Sequence, residues 1–364
     1  MGPVRFTAGF RKPRAEWLRP FGPLLVAALV LLAIVGCERA SSPARSATEG
    51  VAAAPAERSL PATPVEELQA VTIGYPAPSI SWFPALAAER KGFFTEEGVS
   101  PTFVQMLPAN IVAGLLSGEV DFGIDLTATS QAAVQQGAPL RALLAFSVRP
   151  QHRLMVRPEV RTFTDLRGKV VAINQRQDLT EWETRVVLER NGVAPEEVNL
   201  LAIPSSPSRL AALDSGQIAG AIMGVPFDLQ AEAKGYYELG RVAREIDIAW
   251  VGLAAAQRLL TERPELVQRV LRASLRGLEY VRSQPEEAVA LLQAWLNLDP
   301  EVARAAYALG LETWSVDGTA SEEAWFNTLE VSRLAGPLPA SVQLEQFVAR
   351  APLEAARQAR ARHP

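Results

Sequence analysis

Few residues in this 364-residue chain could carry out chemistry. It has two histidines, His152 and His363, and one cysteine, Cys37. No GxSxG, GxxxxGK[ST] or HExxH motif occurs, and no paired Cys/His spacing suggests a metal or a thiol–imidazole couple. Most carboxylates fall on helical patterns at spacings that read as solvated faces. Asp125 differs: it directly follows the apolar strand pattern of residues 120–124 and precedes Thr127, a helix-capping residue type. A carboxylate placed there can orient a ligand or cap a helix, and both roles stay open. The inventory predicts no catalytic residue, no metal and no cofactor, and so favours binding over turnover.

The remaining polar chemistry lies in loops. Four loops each leave a strand pattern and open a helix pattern: residues 75–81, 125–127, 174–180 and 204–208. Helix N-termini present unpaired N–H groups and partial positive charge. Several such ends facing one cleft would hold a polar or anionic group with few charged side chains. Ser79, Ser81, Thr127, Asn174, Gln175, Thr180 and Ser206 add short hydrogen-bonding side chains, and Arg176 adds a cation. Each, taken alone, is also an ordinary cap. Tyr75, Trp82, Trp182 and Phe227 fall in or beside the same loops. Trp82 and Trp182 are expected as an aromatic wall, one per lobe, with two separate core tryptophans as the alternative.

The elements that must position these groups alternate strand and helix, which argues for parallel α/β sheets. Strands are expected at 71–74, 101–105, 120–124 and 169–173. Helices are expected at 82–91 and 110–117, stopped by Gly92 and Gly118, and at 181–190 behind a capping box at 180–183. A weak internal repeat aligns 113–124 with 211–222: a helix end, a Ser-Gly turn, then a strand. It suggests two similar lobes. Further helices are expected from Thr261 and Pro264 to residue 282, and at 285–296, 300–311 and 321–334. The Ala/Arg-rich end, 350–364, is expected to be a frayed tail.

The N-terminus has another character. Arg5, Arg11, Lys12, Arg14 and Arg19 precede a short apolar run, then Gly36 and Cys37. A basic region, a short apolar region and a small residue before the break make a secretory signal over residues 1–36. Gly36-Cys37 resembles a bacterial lipobox, which implies lipidation at Cys37. Residues 37–69, rich in Ala, Ser, Pro and Glu, read as a flexible tether. Apolar content of 48%, charge content of 21% and a net charge of −4 describe an ordinary globule with no case for nucleic acid.

Residues 74–98, with Trp82 followed by FPALAAERKGFFTEEG, resemble the first segment of the NMT1/THI5-like and sulfonate/nitrate-type periplasmic binding proteins. Residues 116–123 (LSGEVDFG), 136–140, 163–171, 213–218 and 263–266 continue the resemblance, which spans about residues 70 to 290. It implies an α/β, two-lobed periplasmic-binding-protein fold of type II, with parallel-sheet lobes joined by a two-crossing hinge. Lobe 1 would comprise 70–160 and 248–349, and lobe 2 would comprise 161–247, with crossings near 155–162 and 246–252. The implied protein is a monomeric, lipid-anchored, extracytoplasmic component that delivers a small solute to an ABC permease and its ATPase. By family pattern the ligand loops are 76–82, 125–127, 174–180 and 223–227. Ligand contacts would then come from Pro76, Ser79, Ser81, Trp82, Asp125, Thr127, Asn174, Gln175, Arg176, Thr180, Trp182, Met223, Pro226 and Phe227. Asp125, and the absence of glycine from residues 174–178, depart from the anion-binding pattern and favour a nitrogen-containing or pyrimidine-like heterocycle. Alternatives are a sulfonate- or nitrate-type anion, or a same-fold enzyme of pyrimidine or chorismate metabolism. The pyrimidine-forming enzymes would need His and Cys groups that this chain lacks.

Overall fold

The computed structural model describes residues 68–334, 336–338 and 342–362. The signal segment, Cys37 and nearly all of the tether lie outside them. The first lobe runs β1 (Gln69–Tyr75), α1 (Phe83–Arg90), α2 (Phe93–Glu96), β2 (Val99–Gln105), α3 (Pro108–Ser117), β3 (Phe122–Gly123), α4 (Leu126–Gln135) and β4 (Leu140–Ser147). The second runs β5 (Arg153–Val156), β6 (Val170–Ile173), α5 (Leu179–Arg190), β7 (Asn199–Ala202), α6 (Ser206–Asp214), β8 (Gly220–Met223), α7 (Phe227–Ala233), β9 (Tyr237–Arg241) and α8 (Val242–Glu245). The chain then returns through β10 (Val251–Ala256) to α9 (Gln257–Glu262), α10 (Pro264–Ser283), α11 (Pro285–Leu296), α12 (Pro300–Thr313), α13 (Glu322–Val331) and α14 (Arg350–Arg362).

Two five-stranded sheets result, β2-β1-β3-β10-β4 and β7-β6-β8-β5-β9. They have the same plan. β1 pairs parallel to β2 and β3, and β6 pairs parallel to β7 and β8. The repeat seen in sequence therefore maps α3–β3 onto α6–β8. The sheets are not wholly parallel, as expected from sequence, but mixed. In each, the strand reached directly from the other lobe, β10 or β5, is antiparallel to its neighbours. The cause is topological: that strand starts at the edge where the parallel strands finish, so it must run the other way.

The first crossing lies at 148–152, ahead of the 155–162 expected, because Arg153 already pairs with Met223 and Arg241 in the second sheet. The return crossing spans 246–250. The two crossings hold each other. The N–H of Ile248 donates to the carbonyl of Val148 at 2.9 Å, and Arg149 pairs with Asp247 at 2.7 Å.

Helix α10 carries Leu266, Val267, Val270, Leu271, Leu278 and Val281 on one buried face. Each such side chain contributes roughly 1.5–3 kcal/mol relative to exposure. Gly277 lets this helix close on α1, since a Cβ there would stand 2.1 Å from the carbonyl oxygen of Pro84. Residues 350–362 are not a frayed tail but α14. Its Leu353 and Ala356 are buried, Gln268 donates to the carbonyl of Pro352 at 2.8 Å, and Arg360 pairs with Glu279. Apolar residues three apart on an Arg-rich helix gave it a face to bury. Helix α5 begins at Leu179, two residues before the expected start, because Asp178 rather than Thr180 caps it, accepting from the N–H of Glu181 at 3.1 Å.

Candidate functional site

A cavity of about 450 Å³ opens at the carboxyl ends of the parallel strands and is lined from both lobes. This is where open α/β sheets bind ligands, and the volume is ordinary for a small-molecule site. The loop after β1 supplies Pro76, Ser79, Ser81 and Trp82, and the end of β3 supplies Ile124. The second lobe supplies Ser206 at the start of α6, and Gly224, Val225, Pro226 and Phe227 after β8. The crossings supply Gln151, His152, Trp250 and Val251, and the turn after α11 supplies Leu296 and Leu298.

The β1 loop is held rigidly. Trp82 Nε1 donates to the carbonyl of Ala77 at 2.8 Å, and Trp314 Nε1 donates to that of Ile80 at 2.7 Å. Ser147 donates to the carbonyl of Ser81 at 2.8 Å. The hydroxyls of Ser79 and Ser81 lie 2.6 Å apart, and Gln151 Nε2 donates to Ser79 Oγ at 2.7 Å. Lobe 1 is thereby tied to the first crossing by side-chain hydrogen bonds.

His152 Nδ1 lies 2.8 Å from Glu183 Oε2, and Glu183 is fully buried on α5. Burial opposes a charged imidazole, but the Glu183 carboxylate more than offsets it, so the His152 pKa is raised. Gly224 packs against the same ring; a Cβ there would stand 3.3 Å from His152 Cδ2. The next residue, Arg153, donates to Asp228 at 2.8 Å, Glu232 at 3.0 Å and Glu238 at 2.6 Å. This cluster, buried at Arg153 and Asp228 and open to solvent at Glu232, fixes the end of the crossing to α7 and β9. Arg209 is 4% exposed. It donates to the carbonyl of Ile203 and to Ser206 Oγ, and its Nε has no partner among the described residues. Burial lowers its pKa.

Of the residues expected from sequence, Pro76, Ser79, Ser81, Trp82, Pro226 and Phe227 come together on the cavity wall. Trp82 is also core: it is 2% exposed and lies 4.6 Å from Tyr75 and 4.8 Å from Trp295, between ring centroids. The others are placed elsewhere. Asp125 caps α4, accepting from the N–H of Ala128 at 2.9 Å and from Thr127 at 3.0 Å. Burial raises its pKa, and these bonds offset only part of that. Asn174 and Thr180 turn inward to Asp178, and exposed Arg176 binds Glu181 and the carbonyl of Leu200. Gln175 is exposed. Trp182 and Met223 are buried within the second lobe, in separate apolar clusters. The expectation of Trp82 facing Trp182 is thus corrected, because Trp182 sits on the face of α5 turned toward its own sheet. The aromatic partner on the wall is Trp250, on the return crossing. Gln151, His152 and Trp250 were overlooked in the sequence, although a segment that joins two lobes must border the cleft between them.

The NMT1/THI5 like family profile matches residues 80–288, more than half of the chain. The chain belongs to this family. Riboflavin-binding protein RibY of Chloroflexus aurantiacus is 26% identical over 345 residues, covering 89% of this chain and 95% of that protein. The periplasmic sulfonate-binding protein SsuA of Methylobacillus flagellatus has a TM-score of 0.68 at 17% identity, over 82% of this chain and 97% of that one. The desulfurization enzyme DszB has a TM-score of 0.60 at 18% identity, over 80% of this chain and 99% of that one. The family's two-lobed periplasmic-binding-protein fold is therefore the fold of this chain, and the same fold houses both binders and an enzyme.

Proposed function

We propose that this chain is the extracytoplasmic substrate-binding component of an ABC importer and that it carries a flat nitrogen heterocycle of the flavin type. The observation that carries this reading is the make-up of the interlobe wall. Trp82, Trp250 and Phe227 give it aromatic surface, and Ser79, Gln151 and Ser206 give it uncharged hydrogen-bonding groups. A fused ring system packs on such faces, and its carbonyl and N–H edge suits uncharged donors and acceptors. The pyrimidine-like ligand expected from sequence is one ring of an isoalloxazine, and the riboflavin-binding relative points the same way. Among the lining residues His152 is the one ionisable side chain, and its Nδ1 is committed to Glu183. That suits binding better than general acid–base turnover. A lipid at Cys37, a tether to the membrane, a monomeric state, and a permease with its ATPase as partners belong to the same proposal. The paired crossings would act as the hinge on which the lobes close.

One observation favours a second reading, an anionic solute. Arg209 lies buried among neutral partners and reaches Ser206 on the wall. An anionic group at Ser206 would meet a buried guanidinium whose hydrogen-bond partners are neutral and which only the Asp178 carboxylate offsets at longer range.

Titration with riboflavin, followed by quenching of flavin and tryptophan emission, tests the proposal. Saturable one-to-one binding is expected. At 100 times Kd it should stabilise the fold by about 2.7 kcal/mol. Stabilisation by an alkanesulfonate, with no response to riboflavin, would replace the flavin by an anion.

A further inference from the structure

The first crossing carries a polar group that the fold leaves without a partner. Gln151 is 8% exposed and lines the cavity. Its Nε2 donates to Ser79, while its buried Oε1 has no hydrogen-bond partner among the described residues. An unpaired buried carbonyl oxygen is costly and uncommon in native proteins. At a cavity wall, a bound molecule can supply the missing donor.

The chemistry of an amide narrows what that molecule offers. Nε2 has two N–H groups, and Ser79 takes one. Where Ser79 takes the N–H anti to Oε1, the syn N–H and Oε1 present a donor and an acceptor side by side. The complement is a –CO–NH– edge held cis in a ring, as in a lactam or imide. The hydroxyls of Ser79 and Ser81 fix the far side of the amide, so it meets the ligand already oriented.

Resting on the flavin reading above, we infer that Gln151 reads the imide edge of the ligand's pyrimidinedione ring. Oε1 accepts the ring N3–H, and the free Nε2–H donates to a carbonyl beside it. Gln151 is then the residue that separates flavins from aromatic ligands of equal size that lack this edge.

The test compares riboflavin with N3-methylriboflavin, which keeps the rings and the ribityl chain and loses the N–H. The native protein should bind the methylated compound at least about tenfold more weakly, since a buried acceptor would face a methyl group. In Gln151→Met the gap should shrink to nearly none. Equal binding of both compounds by the native protein overturns the role of Gln151 and leaves the flavin reading standing. So does a gap that persists in folded Gln151→Met. If Gln151→Met does not fold, Gln151→Glu keeps the shape and turns a carboxylate oxygen toward the ring carbonyl. Riboflavin affinity should then drop at least about tenfold, and unchanged affinity overturns the assignment. Failure of the native protein to bind riboflavin at all overturns the flavin reading and this inference with it.

Discussion

In the first lobe the cleft end of the sheet rests on a cluster of packed rings. Trp82 meets Tyr75, Phe103 and Trp295, and Phe83 meets Trp295 and Trp314, with centroids 4.6–6.1 Å apart. In the second lobe the equivalent region is held by charge: Arg153 with Asp228, Glu232 and Glu238, His152 with Glu183, and Arg209 among neutral acceptors. The strand order is shared, so topology does not account for the difference. Rings packed on rings give the first lobe a stiff apolar floor whose indole N–H groups pin the β1 loop. Buried charges give the second lobe stability only as complete sets, because removing one partner strands the other in a low dielectric at a cost of about 3–5 kcal/mol. The first lobe thus backs the cavity with packed rings, and the second lobe and the crossings back it with buried charge.

The two tryptophans on which the sequence reading relied test that division most severely. Trp82→Ala and Trp182→Ala should each cost about 3–5 kcal/mol of stability, read by urea unfolding. They should part company in ligand titration. Trp82→Ala removes both a wall and the Ala77 anchor, so affinity should fall with stability. Trp182 lies 9% exposed in the second-lobe core, so the folded fraction of Trp182→Ala should keep its affinity. Equal loss of binding in both variants would show that α5 contributes aromatic surface to the cavity beside Phe227.

Asp125 gives a smaller effect on the first-lobe side. Its carboxylate caps α4 and does not line the cavity. Asp125→Ala should cost about 0.5–2 kcal/mol, and Asp125→Asn, itself a good cap, should cost much less. Affinity should stay intact in both. Weakened binding by a stable Asp125→Asn would return this residue to the site.

These placements show what could be read from sequence. The repeat at 113–124 and 211–222 marked the two lobes, because a helix, a tight Gly turn and a buried strand leave a local pattern. The loops after β1 and β8 were legible for the same reason. The crossings were not. Residues 148–152 and 246–250 carry no periodicity, and Gln151, His152 and Trp250 reach the cavity only through long-range assembly. Asp125 misled because a cap and a ligand contact look alike where a strand ends and a helix begins. Trp182 misled because only the rotation of α5 on its sheet decides which face is buried, and that face has no strong apolar stripe.

The smallest expected effect sharpens the second-lobe side. His152 sits at the crossing, and its pKa is raised above its ordinary 6.5. Burial alone would lower it; the Glu183 carboxylate at 2.8 Å reverses the sign. A raised imidazole pKa means that the imidazole's contribution to stability is present below pH 6.5 and is lost as pH rises through the folded value; burial also raises the Glu183 pKa, so the ion pair gives way at lower pH when that carboxylate takes up a proton. Glu183→Gln keeps an acceptor for Nδ1–H and removes the charge, so the stability gained on acidification through the native His152 pKa should disappear. His152 itself should titrate above 6.5 in the native protein and below it in Glu183→Gln, followed by its ring proton resonances. The same variant should leave the aromatic cluster of the first lobe unmoved, since no ring there contacts Glu183. A His152 pKa that ignores the substitution would mean that charge does not organise the second lobe at the cleft, and the contrast between the lobes would reduce to their aromatic content.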